Sequence, residues 1–273
     1  MNKIFEALDS ADRRPISQAT GDSTVLTAEP DRGSNRKITQ ITSSGIAVAD
    51  DEPLAVTTAG PTPAFEMDPS TRQELIRLTH TLFLSSGDTR VVAFSGVEAG
   101  AGCSWMLVRI AELLAGADAG SVCVVDADFN DPTLHSYFGA SNKWGLSDAL
   151  VGSQPIPECV RRFGQRLYLL SSGSIGPKAE ILLASSAFRL RIEELRAFFD
   201  FVLIDTPPLA ASSDALMVAS RTDGLAMVVE ADSTNRETAL KAARHAAAAN
   251  VRMLGVVLNK RTYPIPEAIY KKL

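Results

Sequence analysis

From residue 90 onward the chain alternates short apolar runs with longer segments of helical spacing. The runs "RVVAFSG" (90–96), "SVCVVDAD" (121–128), "RLYLLSSG" (166–173), "FDFVLIDTPP" (199–208), "GLAMVVEA" (224–231) and "RMLGVVLNK" (252–260) are almost unbroken Val, Ile and Leu. Continuous rather than alternating apolar character marks strands buried on both faces. Between the runs, Ser104–Leu114, Lys178–Phe198 and Asn235–Ala248 repeat their apolar residues at helical intervals. Strands alternating with helices predict an α/β fold with a doubly wound, mostly parallel sheet. Ligands in that architecture bind beyond the carboxyl ends of the strands, so the polar residues that follow each run are where chemistry is to be sought.

The first part of the chain has no such rhythm. Residues 15–68 are rich in Ser, Thr, Asp, Pro and Gly with isolated aliphatics, which predicts a disordered linker. Ahead of it, Ile4, Phe5, Leu8 and Ala11 fall on one helical face, so residues 1–14 form either a short amphipathic helix or a frayed terminus. The folded domain is expected over 69–260, followed by a tail, 261–273, that carries Tyr263 and Tyr270 beside Lys271 and Lys272.

Composition narrows the function. A net charge of -5 over 273 residues offers no basic footprint for nucleic acid. Three cysteines, Cys103, Cys123 and Cys159, sit at unrelated spacings and suggest a reducing cytoplasm rather than a disulfide framework. No apolar run is long enough for a transmembrane helix, so no direct membrane span is expected. His80, His135 and His245 lie on separate segments without metal-ligand spacing.

Three features carry candidate chemistry. After the first strand come Gly100, Ala101, Gly102, Cys103 and Ser104, then the opening of a helix. Such a loop lets backbone N–H groups and a helix N-terminus surround phosphate, with a Ser or Thr to hold Mg²⁺. The second strand ends in "VVDADFNDP", where Asp126 and Asp128 stand two apart and so face one crevice. Paired carboxylates there order Mg²⁺ and receive a hydroxyl proton, or else cap the following loop. The strand "FVLIDTPP" closes on Asp205, a carboxylate at a strand tip of the kind that reaches metal. Each feature alone is weak, but their order after successive parallel strands makes coincidence much less plausible.

With these residues in place, the segment from about Thr71 to Leu273 resembles the bacterial tyrosine kinases of capsular and exopolysaccharide biosynthesis, relatives of the MinD and ParA P-loop ATPases. "VVDADFNDPTLH", "GLSDAL", the segment from "LLSSGSIGPKAE" through "FDFVLIDTPPL", Asp214 and "LGVVLNK" carry the resemblance, and the opening "IFEAL" adds to it. It implies ATP or ADP with Mg²⁺ as cofactor, with Gly100, Ala101, Gly102, Cys103 and Ser104 forming the phosphate loop. Asp126 is then the proton acceptor, and Ser104, Asp128 and Asp205 hold the metal. It also implies a partner, an inner-membrane polysaccharide co-polymerase, with the kinase cytoplasmic and peripheral to the membrane. Glu74 and Arg77 match the family's oligomer-forming helix, with His80 in place of its last Arg, and Tyr263 and Tyr270 match the phosphoacceptor tail.

Departures cluster in the site. Cys103 replaces the loop Lys, Ala101 stands where Glu is usual, and Asn130 stands where the acidic motif ends in Arg. The expectation is an impaired, pseudokinase-like protein that acts through partner binding, as a homo-oligomer or with an active paralogue. An active autokinase that borrows another cation and a MinD-like positioning ATPase are the alternatives.

Overall fold

The computed structural model describes residues 67–85, 89–117, 119–152, 155–174 and 179–261, the side chains of residues 179 and 180 aside. The expected helix at 1–14, nearly all of the expected linker at 15–68, and the tail with Tyr263 and Tyr270 lie outside these residues.

Seven strands form one sheet: β1 (Val91–Gly96), β2 (Val122–Asp126), β3 (Arg161–Phe163), β4 (Leu167–Leu170), β5 (Phe201–Asp205), β6 (Gly224–Glu230) and β7 (Met253–Asn259). Their order is β3-β4-β2-β5-β1-β6-β7, and every neighbouring pair except β3–β4 is parallel. The sheet is therefore mostly parallel, as the apolar runs predict. β1 lies between β5 and β6. The chain leaves it for β2 on one side and later adds β6 and β7 on the other, which places a crevice at the carboxyl edge of β1.

Burial on both faces explains the continuous apolar runs except that of β7, an edge strand whose residues are only partly buried and whose Leu258 is exposed. Val91, Ala93, Cys123, Val125, Val202 and Ile204 point into one core, which is shared with Phe188, Ile192 and Leu195 of the Ser186–Phe198 helix. Val92, Phe94, Val124 and Leu203 point into the other, against Leu107, Ile110 and Leu114 of the Cys103–Gly116 helix. Leu75, from the helix Pro69–Thr79, packs on that second face. That helix begins with Pro at its first position after Asp68, whose Oδ1 accepts from the N–H groups of Ser70 and Thr71.

Two local features differ from the sequence expectation. The segment 178–198 is two helices, Ala179–Ala184 and Ser186–Phe198, because Ser185 leaves helical geometry and its Oγ caps the second helix by accepting from Phe188 N–H at 3.3 Å. The short antiparallel β3 is absent from the sequence reading. Its "RRF" is three residues long with two arginines, the composition of a blunted sheet edge rather than of a core strand.

Candidate functional site

β1 ends at Gly96, and residues 97–102 lead into the helix that opens at Cys103. Gly100 and Gly102 both have φ of 81°, the left-handed region that glycine enters without strain. Gly102 caps the helix, and its carbonyl accepts from Met106 N–H at 3.1 Å. The start of the loop is fixed by Val97, whose N–H donates to Val228 O at 2.8 Å and whose carbonyl accepts from Ala210 N–H at 3.0 Å. The far side of the loop is held from the end of β7. Asn259 Nδ2 donates to Ala101 O at 2.8 Å, and Lys260 Nζ donates to Gly100 O at 2.6 Å while also pairing with Glu230 at 3.2 Å. The five predicted loop residues thus sit together at the carboxyl edge of the sheet, at the positive end of a helix of 14 residues.

The acidic residues converge beside the loop. Asp126 and Asp205 are register partners at the ends of the neighbouring strands β2 and β5. Asp126 is fully buried; its Oδ1 accepts from Asp128 N–H at 3.2 Å and its Oδ2 from Leu134 N–H at 3.1 Å. Asp128 Oδ1 accepts from the N–H groups of Asn130 and Asp131, each at 3.0 Å. Asp205 is buried beside Ser104 and Cys103 and leaves Oδ1 without a partner.

Burial dominates the electrostatics. It pushes the Asp126 carboxyl up to about 8, with the charge of Asp205 adding to the shift against the Leu134 hydrogen bond. It pushes Asp205 up to about 7, with the neighbouring Ser104 and Cys103 side chains opposing and the charge of Asp128 adding. Asp128 is raised for the same first reason. Burial and then the Asp205 charge push the Cys103 thiol well above its ordinary value, so it stays neutral. An ammonium at position 103 would lower the neighbouring carboxylates; a neutral thiol leaves them raised.

The chain matches no protein-family model. It is 32% identical over 139 residues to the tyrosine-protein kinase YwqD of Bacillus subtilis, a stretch that spans 50% of this chain and 59% of that kinase's own length. Over 178 residues it is 29% identical to the tyrosine-protein kinase CpsD of Streptococcus agalactiae, covering 64% of this chain and 77% of that one. Its homologues are bacterial tyrosine-protein kinases. Among solved structures, the chimerical protein CapA2B2 superposes with a TM-score of 0.66 at 27% identity, over 71% of this chain and 86% of that one. The septum site-determining protein MinD of Pyrococcus horikoshii, complexed with Mg-ADP, shares the fold with a TM-score of 0.53 at 20% identity, over 67% and 76% of the two chains. The chain thus shares its fold with that MinD protein.

The fold brings together the loop residues and Asp126, Asp128 and Asp205 at the carboxyl edge of the sheet. Among the described residues, no group of three or more His, Cys, Asp or Glu side chains stands ready to hold a metal ion unaided. Phosphate oxygens and water would have to complete the shell of any Mg²⁺ held by Ser104, Asp128 and Asp205. The unpartnered, buried Oδ1 of Asp205 fits that use.

Sequence reasoning gave no site role to Asp214, Asn259 or Lys260. Asp214 is buried, leaves its own Oδ1 unpartnered and raises Asp128 through its charge. Asn259 and Lys260 follow the last apolar run, and the strand-end rule that singled out Asp205 would have found them. Glu74 and Arg77 are apart from the site, on the exposed face of the Pro69–Thr79 helix, where they pair with each other at 2.7 Å. His80 lies at the end of that helix with its Nδ1 3.2 Å from Ser85 Oγ.

Proposed function

We propose that this protein is a tyrosine-kinase-like component of a capsule or exopolysaccharide assembly system that binds Mg-nucleotide at the 100–104 loop and transfers phosphoryl groups poorly. The observation that carries the reading is Cys103, a neutral thiol beside Asp205 at the loop position from which a Lys would face phosphate. Losing one well-placed stabiliser of transition-state charge costs roughly 3–4 kcal/mol, about a hundred- to a thousandfold in rate.

Binding depends less on the missing Lys. The loop glycines and the helix N-terminus remain for phosphate, and Ser104, Asp128 and Asp205 would hold Mg²⁺, which would offset phosphate charge. The Mg-ADP complex of the MinD neighbour supports this use of the fold. With catalysis weak, the protein acts through contacts: with an inner-membrane polysaccharide co-polymerase that keeps it cytoplasmic and peripheral to the membrane, and with copies of itself or an active paralogue through the helix of Glu74 and Arg77. The paralogue would phosphorylate Tyr263 and Tyr270. Among the described residues no helix is long and apolar enough to cross a membrane.

The test is calorimetric titration with ATP and ADP, with and without Mg²⁺, of the natural protein and Cys103→Lys, with tyrosine phosphorylation assayed on the same samples. Binding by the natural protein with phosphorylation only after Lys is restored is the expected result. Robust phosphorylation by the natural protein would sink the reading in favour of an active autokinase.

A further inference from the structure

Lys260 reaches the loop from outside. Its Nζ is 2.6 Å from Gly100 O, and the preceding Asn259 gives its Nδ2 to Ala101 O at 2.8 Å. The peptide bonds are trans, so each carbonyl points opposite to the N–H of the following residue. Fixing the Gly100 carbonyl therefore fixes the Ala101 N–H, and fixing the Ala101 carbonyl fixes the Gly102 N–H. The loop alternates in hand, with φ of 81° at Gly100 and Gly102 and not at Ala101 between them. Successive N–H groups in that conformation converge into a nest for anions, which leaves the carbonyls outside. Asn259 and Lys260 bind two consecutive carbonyls on that outer side.

This contact is closely built. A Cβ on Gly102 would lie 2.5 Å from Asn259 Nδ2. Lys260 itself has φ of 55°, a left-handed conformation uncommon for a residue with a side chain and kept where surrounding contacts over-determine it. Glu230, at 3.2 Å from Nζ, steadies the ammonium against the loop.

We propose that Asn259 and Lys260 clamp the loop from outside, and that the Lys260 ammonium supplies the positive charge for binding a nucleoside di- or triphosphate that Cys103 does not. The inference rests on the nucleotide-binding reading and gives that site its cation. A charge on the Gly100 carbonyl polarises the peptide, strengthens the Ala101 N–H as a donor and adds attraction for a polyphosphate anion. Lying behind the loop, it acts on the bound anion and not on the charge that develops during transfer, so it supports binding without restoring fast chemistry. Lys260 is in this sense a positioning residue.

The test uses the full chain with Lys260→Ala and Lys260→Arg, each made in the natural sequence and in Cys103→Lys. Calorimetry with ADP and with inorganic pyrophosphate, in Mg²⁺, reads affinity, and thermal melts confirm that each variant is folded. Lys260→Ala is expected to weaken both ligands by roughly 5- to 20-fold in the natural sequence and by less than about 3-fold in Cys103→Lys, while Lys260→Arg keeps most of the affinity. A merely structural role would cost the same in both backgrounds, and that result overturns the inference. So does unchanged affinity in Lys260→Ala; in either case nucleotide binding itself still stands. ADP binding by the Cys103→Lys form alone also overturns it, since Lys260 would then not suffice. No binding by any form removes both the inference and the nucleotide reading.

Discussion

At position 103 a thiol stands where an ammonium would face Asp205, and its neutrality leaves the raised carboxyls of the site uncorrected. Restoring the charge by Cys103→Lys is expected to lower the carboxyls of Asp205 and Asp126 and to raise the phosphorylation rate by about a hundredfold or more. An increase below about tenfold in a timed phosphotyrosine assay would show that the barrier lies elsewhere. Gly102 is the other residue on which the loop turns. It pairs a left-handed backbone with a space already filled by Asn259 Nδ2, so Gly102→Ala meets both strain and collision. We expect a loss of about 1–3 kcal/mol in stability, read by denaturant unfolding, together with loss of ADP binding. Retention of both would mean that Asn259 and the loop are free to part.

Among elements, the six strands other than β3 were legible because each is an apolar run, buried on both faces in all but the edge strand β7, and Asp126 and Asp205 were legible because they end such runs. The contacts of Asn259 and Lys260 with the loop were not, since they join residues 158 and 160 positions apart through the placement of β7 beside β6, which no local pattern encodes. The break at Ser185 was readable only in hindsight. The helical spacing runs through "LLASSAFRL", and what stops it is a hydroxyl that finds a better partner in an N–H three residues on than in continued helix. Replacing it tests this account. Ser185→Ala should cost about 1 kcal/mol, a fall of roughly 2–4 °C in Tm for a domain of this size, while leaving ADP affinity unchanged. The cap stands away from the loop, so a change in affinity would argue that the two helices transmit to the site.

At the scale of the whole molecule, the buried acids make stability depend on pH in an unusual direction. Asp126 and Asp205 are pushed up to about 8 and about 7 in the folded chain, whereas unfolded they return to the ordinary carboxylate value of 3.8. Between those limits the native state holds protons that the unfolded chain has released, so stability is fully present below about pH 4 and is lost as pH rises through 7 to 8. Asp128 and Glu112, also raised by burial, add to the loss. Asp68 and Asp200, held down by hydrogen bonds from Ser70 and Ser121, act in the opposite sense, but their effect is complete once pH exceeds about 5. In chelator and without nucleotide, Tm should therefore fall on the order of 5–10 °C between pH 5 and pH 8. Millimolar Mg²⁺ should recover part of that fall at pH 8 and little at pH 5, because only ionised carboxylates attract the ion. Asp205→Asn should flatten the curve and melt higher than the natural protein at pH 8, since it removes a buried carboxyl that forms no salt bridge among the described residues. A flat profile in the natural protein would show that burial does not hold these carboxyls up, and an Asp205→Asn variant with an unchanged slope would assign the pH dependence to groups other than Asp205.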